Sequence, residues 1–222
     1  MKPGEETHKI ACSTRDLLST NGKKLASKER KNRVREAVQE YGEYAGNIFI
    51  IEGLGDVTIN RIKNTIAQHV IYRKKAPVVI IDYLQIIAPL PEDKHGTDKQ
   101  NTDKAVLELK RISRDYKTPV FAISSFNRDN YKETVNMASF KESGAIEYSS
   151  DVLIGLQLRG IEQLIESFGS KNGGKLLNEE INKLKLKLPR EIELKILKNR
   201  NGQPSGKVYF DYFPMYNYFE EV

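Results

Sequence analysis

A chain of 222 residues, 39% hydrophobic and 30% charged, has room for one large or two small globular domains and is not composed like a disordered segment. Its net charge of +6 lacks blocks or tails, so it permits a polyanionic partner without demonstrating one, and the single Cys12 excludes intrachain disulfides and Cys-rich metal sites. No run approaches the roughly 18 apolar residues of a membrane span, and the N-terminus lacks the apolar core of a secretory signal, so a cytoplasmic setting with no membrane partner is expected.

In chain order, Ser27 is placed to cap a helix running to Tyr44, with Val34, Val38 and Tyr41 near helical spacing. Asn47 leads into NIFII, an apolar run read as a buried strand. The GLGD turn and Thr58 open a second helix, where Ile59, Ile62, Ile66 and Val70 share one face. After Pro77, VVIID reads as a continuous strand buried on both faces, as in the centre of a parallel sheet. A third helix is expected from Asp103 to Tyr116, placing Ala105, Leu109, Ile112 and Tyr116 together, and Pro119 introduces another buried strand, VFAISS. This alternation predicts an α/β fold with right-handed crossovers. Val152 to Leu158 adds a further apolar strand. EIELKILK and KVYFDYF alternate about the turn residues NGQPSG, predicting an antiparallel hairpin appended to the parallel sheet. The polar, Lys-rich stretch 160–189 reads as helix plus loop, an insertion or flexible linker within one domain.

Four segments carry candidate chemistry. Asp82 closes the strand VVIID, and the carboxyl end of such a strand is where open α/β sheets bind ligands. A carboxylate there suits Mg²⁺ beside phosphates, although a strand-end Asp also caps turns. SSFNR, Ser124 to Arg128, would lie beside Asp82 if the two strands are neighbours, or is a loop exit rich in hydrogen-bonding groups. In FKESGAIEYSSD, Lys141 and the backbone at Gly144 could meet a phosphodiester, or form an ordinary loop before a short helix. In LKNRNGQPSG, Lys198 and Arg200 alternate along a strand end and so project to one side, either as an arginine-finger pair or as a solvated hairpin tip. The stretch Gly169 to Lys175 mimics a phosphate loop, but Leu176 stands where a hydroxyl is needed and no buried strand precedes it.

Taken in order, VVIIDYLQIIAP, LKRISRDYKTPVFAISSFNR, KESGAIEYSSDVLIGLQLR and ILKNRNGQPSGKVYFDYFPMYNYFE resemble the C-terminal motor domain of DnaB-type replicative helicases, a RecA-like ATPase family. The resemblance implies a mostly parallel sheet flanked by helices with a C-terminal antiparallel hairpin, and one partial motor domain over residues 1–222. It implies ATP and Mg²⁺ as cofactors, with Asp82 matching the Walker B aspartate. Lys198 and Arg200 match the pair reaching a neighbouring subunit's γ-phosphate in a homo-oligomeric ring. Lys141, Glu142 and Gly144 match the loop that tracks single-stranded DNA. Primase or a helicase loader is the further partner implied. Ser125 stands where the family usually has a γ-phosphate-sensing glutamine.

The family's phosphate loop and catalytic glutamate lie upstream of the region beginning at Met1, so a truncated motor domain is expected. Such a chain would lack the first strand, expose apolar surface, and not hydrolyse ATP alone. The competing expectation is a non-catalytic RecA-like module that binds DNA or docks on a helicase ring.

Overall fold

The computed structural model describes residues 19–20, 23–24, 27–53, 55–93, 95–126, 133–140, 144–168, 174–203 and 205–222. Its first elements are β1 (Ser19–Thr20), β2 (Lys23–Lys24), α1 (Ser27–Ala45), α2 (Ile59–Arg73), β3 (Val79–Ile81), α3 (Asp98–Tyr116) and β4 (Val120–Ala122). They are followed by α4 (Gly144–Ser149), β5 (Val152–Leu158), α5 (Ile161–Phe168), α6 (Gly174–Leu186), β6 (Arg190–Asn199), β7 (Gly206–Phe213) and β8 (Tyr218–Glu221). The chain divides into two compact units, one of residues 52–155 and 195–206, the other of residues 1–51, 156–194 and 207–222.

In the first unit, Thr58 turns an extended segment into α2, its Oγ1 accepting from the Arg61 amide at 3.3 Å, an N-cap that satisfies one otherwise orphaned donor. Lys74 ends the helix in the left-handed region (φ 56°), its N–H donating to the Val70 carbonyl. The expected face forms: Ile59 and Ile66 are buried, and Ile62 and Val70 pack on the same core. α3 begins at Asp98, five residues before the start expected from its apolar spacing. The reason is a capping box, Thr97 Oγ1 accepting from Gln100 N at 3.2 Å and Gln100 Oε1 accepting from Thr97 N at 3.0 Å. Leu109 and Ile112 of α3 join Val79, Leu84, Phe140, Ile146 and Leu153 in the core. Gly155 lets a neighbour approach closely, because a Cβ there would lie 2.5 Å from Val135 Cγ2.

β3 and β4 pair in parallel, with Val79 opposite Val120, Ile80 opposite Phe121 and Ile81 opposite Ala122. Burial on both faces is not what this pair shows. Val79 is buried, whereas Val78, Ile80, Phe121 and Ile123, all on the opposite face, are exposed. NIFII likewise forms no strand, and Ile48, Phe49, Ile50 and Ile51 are all exposed. The chain leaves α1 through a turn, Asn47 N donating to Tyr44 O and Ile48 N to Ala45 O. Apolar composition makes a strand only where a ladder accepts its backbone groups.

β5 to β8 form a separate sheet in that spatial order, so the hairpin joins β5 and is not appended to the β3–β4 ladder. β4 pairing ends at Ala122, and β5 is the hydrogen-bonded neighbour of β6 instead. The connection from Asn199 to Gly206 is far shorter than a crossover, so β6 and β7 run antiparallel, as the alternation predicts. β8 is an unforeseen third strand, antiparallel to β7 with Tyr212 opposite Phe219, and Asn217 (φ 50°) supplies the left-handed turn residue before it.

The second unit holds its own small core of Ile161, Leu177 and Ile181, with Leu158, Leu164, Ile165 and Phe168 against it. The stretch read as helix plus loop is therefore two packed helices, α5 and α6. In the same unit β1 and β2 pair antiparallel, and α1 buries Ala37 while Val34, Val38 and Tyr41 remain exposed. Glu193 of β6 is an acidic residue only 4% exposed. Lys207 Nζ lies 2.9 Å from Glu193 Oε1 and 3.1 Å from Glu162 Oε2, and these two bonds raise the Lys207 pKa. Replacing Lys207 with Met leaves the buried carboxylate with the Gln157 amide at 3.4 Å. The expected loss is about 1–2 kcal/mol, kept low by screening at the partly exposed ammonium. The double variant Lys207→Met/Glu193→Leu should recover most of it, because an apolar pair needs no compensation. Urea unfolding of the three proteins measures both steps.

Candidate functional site

Parallel pairing carries two strand ends to the same edge. Beyond the last paired residues, Ile123 N donates to Ile81 O at 2.9 Å and Leu84 N donates to Ile123 O at 2.8 Å. The ladder thus continues past β3 and sets Asp82 opposite Ile123, the residue before Ser124, so the two strands are neighbours, as the reading of SSFNR required. Asp82 and Ser125 are both exposed, and the Asp82–Tyr83 peptide is cis. Gln85, three residues on, ties the ends together: its Nε2 donates to Ser124 Oγ at 2.9 Å and its Oε1 accepts from Ser125 N at 3.4 Å. No role was read for Gln85 from the sequence. The available signal was a polar amide one turn past the carboxylate, facing a serine pair on the next strand.

Lys198 and Arg200 do project to one side, as alternation along β6 requires, but they do not point freely into solvent. Lys198 Nζ donates to Glu147 O at 2.5 Å, and Arg200 Nη2 donates to Tyr148 O at 2.8 Å. Both cations therefore meet carbonyls at the C-terminal end of α4, where backbone acceptors lack helical partners. Arg200 also lies 3.2 Å from Asp151 Oδ1, and Asp151 Oδ2 accepts from Lys110 of α3 at 2.5 Å. Both side chains are thus anchored on α4, while Arg200 stays exposed beyond the strand end. Gly144 is the first residue of α4, where a Cβ would meet, among the described residues, Tyr148 at 3.9 Å; next to it Ala145 N donates to Asp103 Oδ1 at 3.4 Å. Lys141 and Glu142 lie outside the described residues. Two groupings result, Asp82 with the serine segment and Lys198–Arg200 with α4. Among the described residues no hydrogen bond or ion pair joins them. Of the phosphate-loop mimic, Gly174 to Leu176 open α6 after α5, a helix-to-helix setting in place of the strand-to-helix one such a loop needs.

The family model of the DnaB-like helicase C terminal domain matches residues 5–221. The chain belongs to the DnaB-like helicase family. It is 29% identical over 188 residues to the replicative DNA helicase DnaB of Mycoplasma genitalium, covering 83% of this chain and 36% of that protein. It is 25% identical over 109 residues to a probable replicative DNA helicase of Trieres chinensis, covering 48% and 24%. The chain thus spans about a third or less of the curated relatives it matches. Among solved structures, a DnaB-like replicative helicase described with its primase interactions aligns with TM-score 0.66 and 21% identity, over 99% of this chain and 49% of that one. A second solved structure, described as an ATPase domain, aligns with TM-score 0.67 and 21% identity, over 98% and 69%. The mixed α/β architecture, with its parallel and antiparallel sheets, is the fold of these helicase ATPase domains.

Within this DnaB-like domain, Asp82 suits a magnesium ion that takes one or two protein carboxylates and completes its shell from water and phosphate oxygens. Among the described residues no group of three or more metal-binding side chains is present, and a magnesium site of that kind does not require one. No described helix is long and apolar enough to cross a membrane. The electrostatics of the second grouping centre on Asp151. Its carboxyl is held below the ordinary value of 3.8, first by the hydrogen bond from Lys110 against the opposing effect of burial, and further by the charges of Lys110 and Arg200. A lowered carboxylate pKa contributes stability that is complete above the unfolded-state value and lost as pH falls through the folded-state one. Wild type should exceed Asp151→Asn in stability by a constant margin above about pH 5, and that margin should shrink below about pH 4. Urea unfolding at stepped pH decides it, since a margin unchanged from about pH 2 to 6 contradicts the assignment.

Proposed function

We propose that the chain forms part of a DnaB-like replicative helicase that couples ATP hydrolysis to movement along single-stranded DNA and to duplex unwinding. The observation that carries this reading is the parallel β3–β4 pairing, by which Asp82 and the Ser124–Ser125 segment both leave the carboxyl ends of adjacent strands, in a chain of this family. Asp82 would hold Mg²⁺ through its carboxylate, and Ser125 would meet the nucleotide through its hydroxyl. Bound magnesium supplies neutralisation of the phosphate charge. Lys198 and Arg200 donate to a phosphate at a subunit interface of a ring, exchanging their α4 carbonyl partners for anionic oxygen, which makes the stronger hydrogen bond. Lys141, Glu142 and the backbone of Gly144 track the DNA strand ahead of α4. A primase or a helicase loader is the expected protein partner, in line with the structural relative described with primase.

Arg200→Ala should cut DNA-stimulated ATP hydrolysis by the assembled helicase about 10³-fold or more while nucleotide binding changes little. Turnover at the wild-type rate removes Arg200 from the phosphate path. Lys141→Ala should weaken single-strand binding and flatten the slope of log affinity against log salt by about one unit, since one phosphate contact and its released counterion are lost. Fluorescence anisotropy on labelled oligonucleotides over a salt series reads that slope, and an unaltered slope excludes Lys141 from the DNA path.

A further inference from the structure

Arg200 is gripped at both its main chain and its side chain by one residue. Its amide donates to the Asp151 carbonyl at 2.9 Å, its Nη1 to Asp151 Oδ1 at 3.2 Å, and its Nη2 to Tyr148 O at 2.8 Å. The far oxygen of Asp151 belongs to Lys110 at 2.5 Å. An isolated surface ion pair holds little, but this arrangement differs in two respects. The backbone bond fixes where the β6 end leaves Asp151, so the guanidinium starts from a set origin. The charges are also unequal: Lys110 and Arg200 share one carboxylate, and Lys198 stands on the adjoining Glu147 carbonyl. Two cations on the one Asp151 carboxylate leave positive charge available to an anion. The Arg200 side chain is 49% exposed, so its planar fork keeps donors open to an incoming oxygen.

We propose that Asp151 is the positioning residue for Arg200, orienting its guanidinium toward a phosphate oxygen, with Lys110 as the counter-charge that stays with Asp151 when Arg200 turns to the anion. This rests on the reading of Arg200 as a phosphate contact. Orientation before binding removes freedom that would otherwise be lost in the transition state, so its absence falls on kcat more than on KM.

The test compares wild type, Arg200→Ala, Asp151→Asn and Asp151→Glu in steady-state ATP hydrolysis by the assembled helicase on single-stranded DNA. Exchange of the Arg200 guanidinium protons is followed by NMR in the chain itself. Asp151→Asn should lower kcat at least tenfold with KM for ATP within about twofold, and Asp151→Glu should recover several-fold of that loss. Guanidinium exchange should be slow in wild type, at least tenfold faster in Asp151→Asn, and slow again in Asp151→Glu. Loss of turnover in Arg200→Ala with wild-type kcat in Asp151→Asn overturns the positioning role alone. Wild-type turnover in Arg200→Ala overturns the phosphate-contact reading and the positioning role with it. Should Asp151→Asn fail to fold, wild-type exchange as fast as that of free arginine overturns the proposal without any variant.

Discussion

The parallel ladder between β3 and β4 is short, yet the candidate nucleotide side of the molecule depends on it. Three paired residues, extended by the Ile123–Ile81 and Leu84–Ile123 backbone bonds, determine that Asp82 and the serine segment leave the sheet at the same edge. A register shift by one residue would turn Val79 out of the core and Ile80 into it. The core of Ile59, Ile66, Leu109 and Ile112 holds Val79 from one side and so holds the register. Helix packing and site geometry are therefore one constraint. α2 and α3 supply the surface that decides which face of β3 is inward, and that choice sets where the carboxylate emerges.

Much of this was legible because helices announce themselves locally. The faces of α2 and α3 follow from residues three and four apart, and their packing agrees with that spacing. The start of α3 was missed although its signal is present, a Thr-x-x-Gln box that outranks apolar periodicity in fixing a helix end. Strands were less legible for a physical reason. NIFII and VVIID are alike in composition, but β3 finds a parallel partner and 47–51 joins no ladder. Composition reports willingness to be buried, while pairing is a non-local fact. β8 was missed on similar grounds, since YFEE is strand-like only beside the aromatic side chains of β7.

At the candidate site, residue identity was legible and residue environment was not. The alternation of Lys198 and Arg200 shows that they share a side of β6, but not what lies there. The answer is a helix end reached through contacts to Glu147, Tyr148 and Asp151, which lie 51, 52 and 49 residues earlier than their partners in the chain. Asp151 itself offers no pattern to a reader of the sequence, because its partners come from α3 and from the end of β6. Gln85 is a milder case, its partners 39 and 40 residues away on the neighbouring strand.

The two groupings are fixed by different kinds of bond, and this decides which of them moves. Asp82 is bracketed by the backbone bonds of Ile81 and Leu84 to Ile123, which can be lost only by opening the sheet edge. Arg200 is held by side-chain donors on carbonyl and carboxylate acceptors, half exposed to water, and such bonds exchange for a charged oxygen at little net cost. A phosphate approaching the first group would find a stationary carboxylate, and one approaching the second an adjustable guanidinium. Lys110 makes that adjustment possible, because Asp151 keeps a cation when Arg200 leaves. Under the proposed function, the same asymmetry would suit a cycle in which the Asp82 end stays set while the Arg200 end exchanges its own partners for an anion.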